Sequence, residues 1–222
     1  MISLESLTSM IEEAKKNSKK RNFIQSIELI VNLKDLDMKS PENRINEVVV
    51  LPNSIGKERK ICVIADGDLL IKAKQAGADL VISKQELEQY ANDKKAAKKL
   101  ANQYDFFIAR ADLMALVGKT LGSILGPRGK MPDPVPPTVN IENIIKNYRK
   151  SVRIRMRDQP VVKCCVGRED MESKSIAENI LAILNAIDRR IKLDQHLSSI
   201  IIKTTMGKPV ELRGVEIGQS IT

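Results

Sequence analysis

The stretch Ser198 to Leu212, SSIIIKTTMGKPVEL, decides how the chain is read. Its run Ile200, Ile201, Ile202, Lys203, Thr204 and Thr205 is rich in β-branched residues and predicts a strand. Gly207 and Pro209 then break that strand, and Val210 to Leu212 can pair back against it. The tip is Thr205, Met206 and Gly207, which offers a hydroxyl, a flexible thioether and bare backbone to a partner that approaches closely, such as a sugar-phosphate chain. An ordinary β-turn with its methionine packed in a core fits the same letters, so the tip alone leaves its role open.

A partner for this strand lies near the N-terminus. In NFIQSIELIVNLKD, residues Phe23, Ile27, Leu29, Val31 and Leu33 alternate with Ser26, Glu28, Asn32 and Lys34, the period of a half-buried strand. Neither terminal strand has a complete sheet of its own, and pairing the two in one sheet resolves both. Ser3 is placed to cap a preceding helix whose Leu4, Leu7, Ile11 and Ala14 share a face. That helix ends in the basic cluster Lys15, Lys16, Lys19, Lys20 and Arg21, which also suits its dipole. Val48 to Leu51 predicts a second strand, closed by Pro52 and Gly56.

From Lys57 the texture changes to short apolar runs alternating with helices. Strands are predicted at Ile61 to Ala65, Asp79 to Ile82 and Phe106 to Ala109, and helices at Asp68 to Ala76, at Lys84 to Gln103 in one or two pieces, and at Asp112 to Leu125. That order predicts a parallel sheet covered by helices. Five of the nine prolines fall in Gly126 to Pro137, GPRGKMPDPVPP, which reads as a stiff extended loop. A helix over Ile141 to Lys150 follows. SVRIRMRDQPVVKCCVG then restores the hairpin texture, with Arg153, Arg155 and Arg157 on one face of a strand, equally a solvated sheet face or a phosphate contact. Ser173 to Arg190 is an amphipathic helix striped by Ile176, Ile180, Ile183, Leu184 and Ile187, and a short tail runs from Gly214 to Thr222. The fold class is therefore α/β: a split α+β domain, residues 1–56 with 151–222, around an inserted Rossmann-like three-layer domain, residues 57–150.

The chain has 222 residues, with 37 Lys plus Arg against 28 Asp plus Glu, a formal net charge of +9 and a pI near 9.4. Such an excess favours a polyanionic partner. No apolar run is long enough to span a membrane, and the polar N-terminus lacks the basic-then-apolar order of a signal peptide, so a cytoplasmic location is expected. Cys62, Cys164 and Cys165 form no C-x-x-C and sit in runs that read as strands, giving neither a disulfide framework nor a zinc site. His196, the only histidine, reads as a surface or loop residue.

Two segments imitate nucleotide loops and fail. Gly118-Lys119-Thr120 has Leu113 where a P-loop needs its first glycine, and Gly129-Lys130 has Ile124 there and Met131 after the lysine. Asp66 and Asp68 fit a turn and a helix N-cap better than a metal pair. No cofactor or metal site and no enzyme chemistry is expected. In the GPRGKMP loop, Arg128 and Lys130 suit phosphate contact or a structural belt about equally. Aromatics are 3% of residues, which disfavours stacking of many single-stranded bases and favours a folded RNA read by shape.

Three separated motifs, RNFIQSIEL, LGPRGKMPDPVPP and KTTMGKPVEL, resemble in order and spacing the ribosomal protein L1 family in its archaeal form. The resemblance implies an RNA-binding domain made from both termini and an inserted Rossmann-like domain. It implies a constituent of the large ribosomal subunit that binds the rRNA stalk beside the tRNA exit site, assists release of deacylated tRNA, and represses translation by binding its own mRNA. Off the ribosome such a protein is expected to be a monomer. The residues carried over as RNA contacts are Phe23, Gln25 and Ser26 at the strand start, Thr205, Met206 and Gly207 at the tip, and Ser199, with Arg128 and Lys130 as a secondary contact. Bacterial relatives usually have Glu and Thr where this chain has Gln25 and Ser26. A general basic RNA-binding module and a nucleotide-dependent enzyme are the alternatives.

Overall fold

A computed structural model describes residues 2–213, so the tail from Gly214 lies outside the described residues. The chain divides into two compact units, one joining the residues through Lys57 to those from Lys150 onward, the other Glu58–Arg149.

The first unit opens with α1 (Leu4–Lys16), capped by Ser3, whose hydroxyl accepts from Ser6 N at 3.2 Å. The strands β1 (Ser26–Leu33) and β2 (Ile45–Val50) follow, the second beginning three residues before the expected Val48. In the other unit come β3 (Ile61–Ile64), α2 (Asp68–Gln75), β4 (Leu80–Ile82), α3 (Lys84–Asn92), α4 (Lys94–Gln103) and β5 (Phe106–Arg110). It continues with α5 (Met114–Thr120), α6 (Gly122–Arg128), β6 (Asp133–Val135) and α7 (Ile141–Arg149). The chain then returns to the first unit through β7 (Ser151–Met156), β8 (Val161–Arg168), α8 (Ser173–Asp188), the single turn α9 (Leu193–His196), β9 (Leu197–Thr204) and β10 (Val210–Arg213).

In the first unit, β10, β9, β1 and β8 form one antiparallel sheet in that order. β1 is central: Ile27 lies opposite Thr204, Leu29 opposite Ile202 and Val31 opposite Ile200, so the two ends of the chain share one ladder. The inward residues Ile27, Leu29, Val31, Ile200 and Ile202 are fully buried against Leu7 and Ile11 of α1 and Ile176, Ile180, Ile183 and Ile187 of α8. Each such side chain contributes roughly 1.5–3 kcal/mol of burial. A smaller ladder pairs β2 with β7, and Asn179 of α8, fully buried, fastens the segment after β2 by accepting from Asn53 N at 3.0 Å while donating to Val166 O at 2.9 Å.

The second unit carries a parallel sheet in the order β4-β3-β5-β6. Cys62, Ile64, Phe107 and Ala109 form one core with residues of α3 to α6, while Ile61, Val63 and Ile108 are equally buried, so the central strands are covered on both faces. The helical segment expected at Lys84 to Gln103 is two helices, because Asp93 Oδ1 accepts from Lys95 N and Ala96 N, both at 2.9 Å, and starts α4 afresh.

The proline-rich segment differs from the extended loop that its composition predicts. Gly126, Pro127 and Arg128 complete α6, where Pro127 forfeits only one late helical bond, and Gly129 closes the helix in the left-handed region at φ 67°. Asp133–Val135 is a strand parallel to β5, with Pro134 opposite Ala109. An edge strand tolerates that proline, since one side of it has no ladder to complete.

Candidate nucleic-acid interface

The start of β1 and the end of β9 meet at one end of the first unit's sheet. Beyond the last ladder pair the two strands are held by one backbone bond and one side-chain bond: Thr205 N donates to Ser26 O at 3.0 Å, and Thr205 Oγ1 accepts from Ser26 N at 3.1 Å. The threonine hydroxyl thus stands in for a carbonyl where the ladder would fray. Both residues reach solvent, Thr205 more than Ser26.

Beneath the tip lies a buried polar network. Gln25 has no exposed surface. Its Nε2 donates to Ser18 Oγ at 2.8 Å and to Glu169 Oε2 at 3.2 Å, and its Oε1 accepts from Met206 N at 3.1 Å. Its backbone N–H donates to Glu169 Oε1 at 2.9 Å. Thr204, also fully buried, donates from Oγ1 to Ser18 Oγ at 2.9 Å. Lys15 braces the same corner by donating to Met171 O, and burial lowers its pKa from the ordinary lysine value. Gly207 is required by close approach: a Cβ there would fall on Thr204 Oγ1.

Above this network the surface is apolar with a basic rim. Phe23, Ile24 and Met206 are 50%, 49% and 59% exposed, three of the large hydrophobic side chains that the described residues leave in water. Lys19, Lys20, Arg21 and Lys208 are exposed beside them in sequence. Arg168 lies opposite Ser26 on β8, with Nη1 donating to Gly56 O at 2.7 Å. Exposed apolar surface of this kind marks an interaction site, and the cations around it suit an anionic partner.

Of the residues expected at the site, Phe23, Ser26, Thr205, Met206 and Gly207 come together at its surface. Gln25 does not: it stands behind the surface, where its amide is spent on the network. Ser199 lies at the other end of β9, six residues or about 20 Å from Thr205, 4% exposed, and accepts from Asn32 Nδ2 at 2.9 Å. Ile24, Ser18, Glu169 and Arg168 escaped the sequence reading. Only Ile24 left a signal there, as an apolar residue breaking the alternation before Ser26.

In the second unit, Lys130 is turned into the fold. Its Nζ donates to Ala101 O at 2.9 Å and Tyr104 O at 2.6 Å, closing the end of α4, and burial lowers its pKa. Arg128 stays exposed and donates to Lys98 O at 3.2 Å. The crevice between the C-terminal ends of β3 and β5, where open α/β sheets hold nucleotides, contains Arg110. Its Nη1 donates to Asp66 O at 2.9 Å, and its guanidinium holds the Asp112 carboxyl below the usual carboxylate range. Asp66 accepts from Gly67 N at 3.0 Å in a tight turn, and Gly118 to Thr120 end α5. The thiol of Cys62 is pushed up by burial, and that of Cys164 is pushed up to about 12 for the same reason. Among the described residues no helix is long and apolar enough to cross a membrane, and no group of three or more His, Cys, Asp or Glu is placed to hold a metal ion.

A split α/β unit presenting a braced apolar tip inside a basic rim, together with a parallel-sheet unit, defines a class of two-part α/β proteins fitted to an anionic macromolecule. The particular family follows from comparison. Residues 14–208 match the Ribosomal protein L1p/L10e family, and the chain belongs to that family. The large ribosomal subunit protein uL1 of Methanothermobacter thermautotrophicus is 54% identical over 203 residues, covering 91% of this chain and 96% of that protein. The uL1 proteins of Thermofilum pendens and Pyrobaculum arsenaticum are 50% and 48% identical, with 96% and 95% of this chain covered and 95% of each relative.

Proposed function

We propose that the chain is a non-enzymatic constituent of the large ribosomal subunit that grips the rRNA of its stalk with the first unit. The observation that carries this reading is the tip itself: Thr205 and Ser26 locked together, Gly207 bare, and Phe23, Ile24 and Met206 exposed above a network that holds them still. A preorganised tip loses little entropy on binding. Thr205 and Ser26 offer hydroxyls to 2′-hydroxyl or phosphate oxygens, the apolar trio packs on ribose and base, and the rim cations supply the salt-sensitive share. Gln25 and Ser199 serve the site through the fold rather than by touching RNA. Arg128, with the exposed lysines of α4, is the second unit's contact.

The finer roles belong to the same surface. Release of deacylated tRNA at the exit site follows from the stalk that the protein rides on, and repression of translation from its own mRNA presenting a mimic of the rRNA site to the same tip. A titration against a stalk rRNA fragment and against a random duplex of equal length tests the reading. Preference for the stalk by a factor of at least 100 is expected, and equal affinity for both would reduce the protein to a generic basic binder.

A further inference from the structure

The basic ladder of β7 has a use that the tip does not absorb. On β7 Arg155 alternates with the buried Ile154 and Met156 and so faces away from the core, and Arg157, in the bend just after the strand, is exposed. On the neighbouring strand Lys163 alternates likewise with the buried Val162 and is exposed. Across the 156–161 connection these three cations line one open hollow of about 340 Å³, completed by Asp158, Gln159 and Val161. Three cations and one carboxylate leave a net of two positive charges there. Arg157 approaches Asp158 at 3.7 Å with both side chains largely in water, a pair worth little. Among the described residues Arg155 and Lys163 make no ion pair. Arg155 is half-buried at the hollow, and its planar fork of donors matches the geometry of a phosphate.

We infer that this hollow is a second phosphate-binding contact for the same RNA. The inference rests on the reading of the chain as an RNA-binding protein. Its position is set by register. Ser26 at the tip lies opposite Arg168, and Ile30 lies opposite Lys163, four residues or about 13 Å further along β1. Arg168 lies at the tip end of the same edge strand, so a backbone gripped at the tip continues along β8 into the hollow. The occupant is an RNA phosphate: the hollow carries charge and planar donors but no exposed large apolar residue with which to enter a bilayer.

The test is a titration of the full chain against a stalk rRNA fragment at several potassium chloride concentrations, comparing wild type with Arg155→Gln/Lys163→Gln. Loss of two phosphate contacts is expected to weaken binding roughly 10-fold at moderate salt and to make the log–log slope shallower by about 1.4–1.8. Thr205→Val is expected to lower affinity while leaving that slope in place, which separates the hollow from the tip. A double variant that binds like wild type with an unchanged slope, beside a Thr205→Val variant that binds poorly, would overturn the hollow and spare the tip. Loss of binding to phosphatidylserine vesicles with RNA binding intact would assign the hollow to a membrane instead. Failure of the wild type to bind the fragment would overturn both readings. Melting curves establish that the variants fold, and Lys163→Gln alone, an exposed change with an expected slope loss of about 0.7–0.9, serves where the pair melts early.

Discussion

Gln25 Oε1 accepts the backbone N–H of Met206 at 3.1 Å, so the residue before the first strand holds the turn after the ninth, 181 positions away in sequence. The exposed turn is thereby fixed from below by a side chain that has no surface of its own. Gln25→Leu removes this bond together with the donors to Ser18 and Glu169. Leaving buried polar groups without partners costs about 1–3 kcal/mol each, so chemical denaturation is expected to show a loss of several kcal/mol. At a temperature where the variant remains folded, RNA affinity falls as well, through a loosened Met206.

Gly207→Ala tests the close approach. The added methyl meets Thr204 Oγ1, which is buried and bonded to Ser18. Overpacking of this kind costs about 1–3 kcal/mol. Thr204→Ala removes the obstructing hydroxyl, so the double variant is expected to be more stable than the two separate losses add up to. Strict additivity in a double-mutant cycle would remove the contact from the account.

Lys130→Met separates fold from function in the second unit. Its ammonium bonds two carbonyls at the end of α4, and hydrogen bonds of a charged group contribute about 1.5–3 kcal/mol. Thermal unfolding is expected at lower temperature, with stalk RNA affinity within twofold of wild type. A large loss of affinity in a folded Lys130→Met protein would return this lysine to the RNA.

Deleting residues 58–149 and rejoining the ends tests where the RNA contact lies. The first unit closes on itself without them: Leu51 N donates to Lys150 O at 3.1 Å, and Arg168 holds Gly56 O. The shortened chain is expected to fold and to keep most of its affinity for the stalk. A folded product that no longer binds would move the contact to residues 58–149.

The pairing of β1 with β9 was legible because β-branched residues alternating with polar ones carry the period of a half-buried strand, and two lone edges need each other. That Ser26 and Thr205 meet, bringing the residues around them to one end of the sheet, was legible through motif resemblance. The burial of Gln25 was not legible, because an amide reads the same whether it faces water or is buried. Only Glu169, 144 residues on, and Ser18 decide which. Lys130 was ambiguous for the same reason, since nothing local tells a lysine that meets phosphate from one that closes a helix. The proline-rich segment was misread because proline marks loops and edge strands alike, and the edge exists only once β5 is in place.

The central claim is that the braced tip recognises a folded ribosomal RNA. The most direct measurement is the affinity of wild type and Met206→Ala/Phe23→Ala for a stalk rRNA fragment and a random duplex of equal length. Both side chains are exposed, so the variant is expected to melt within about 0.5 kcal/mol of wild type. The account predicts a loss of roughly 100-fold on the stalk fragment and almost none on the random duplex. Equal affinity of wild type and variant for the stalk fragment would contradict it.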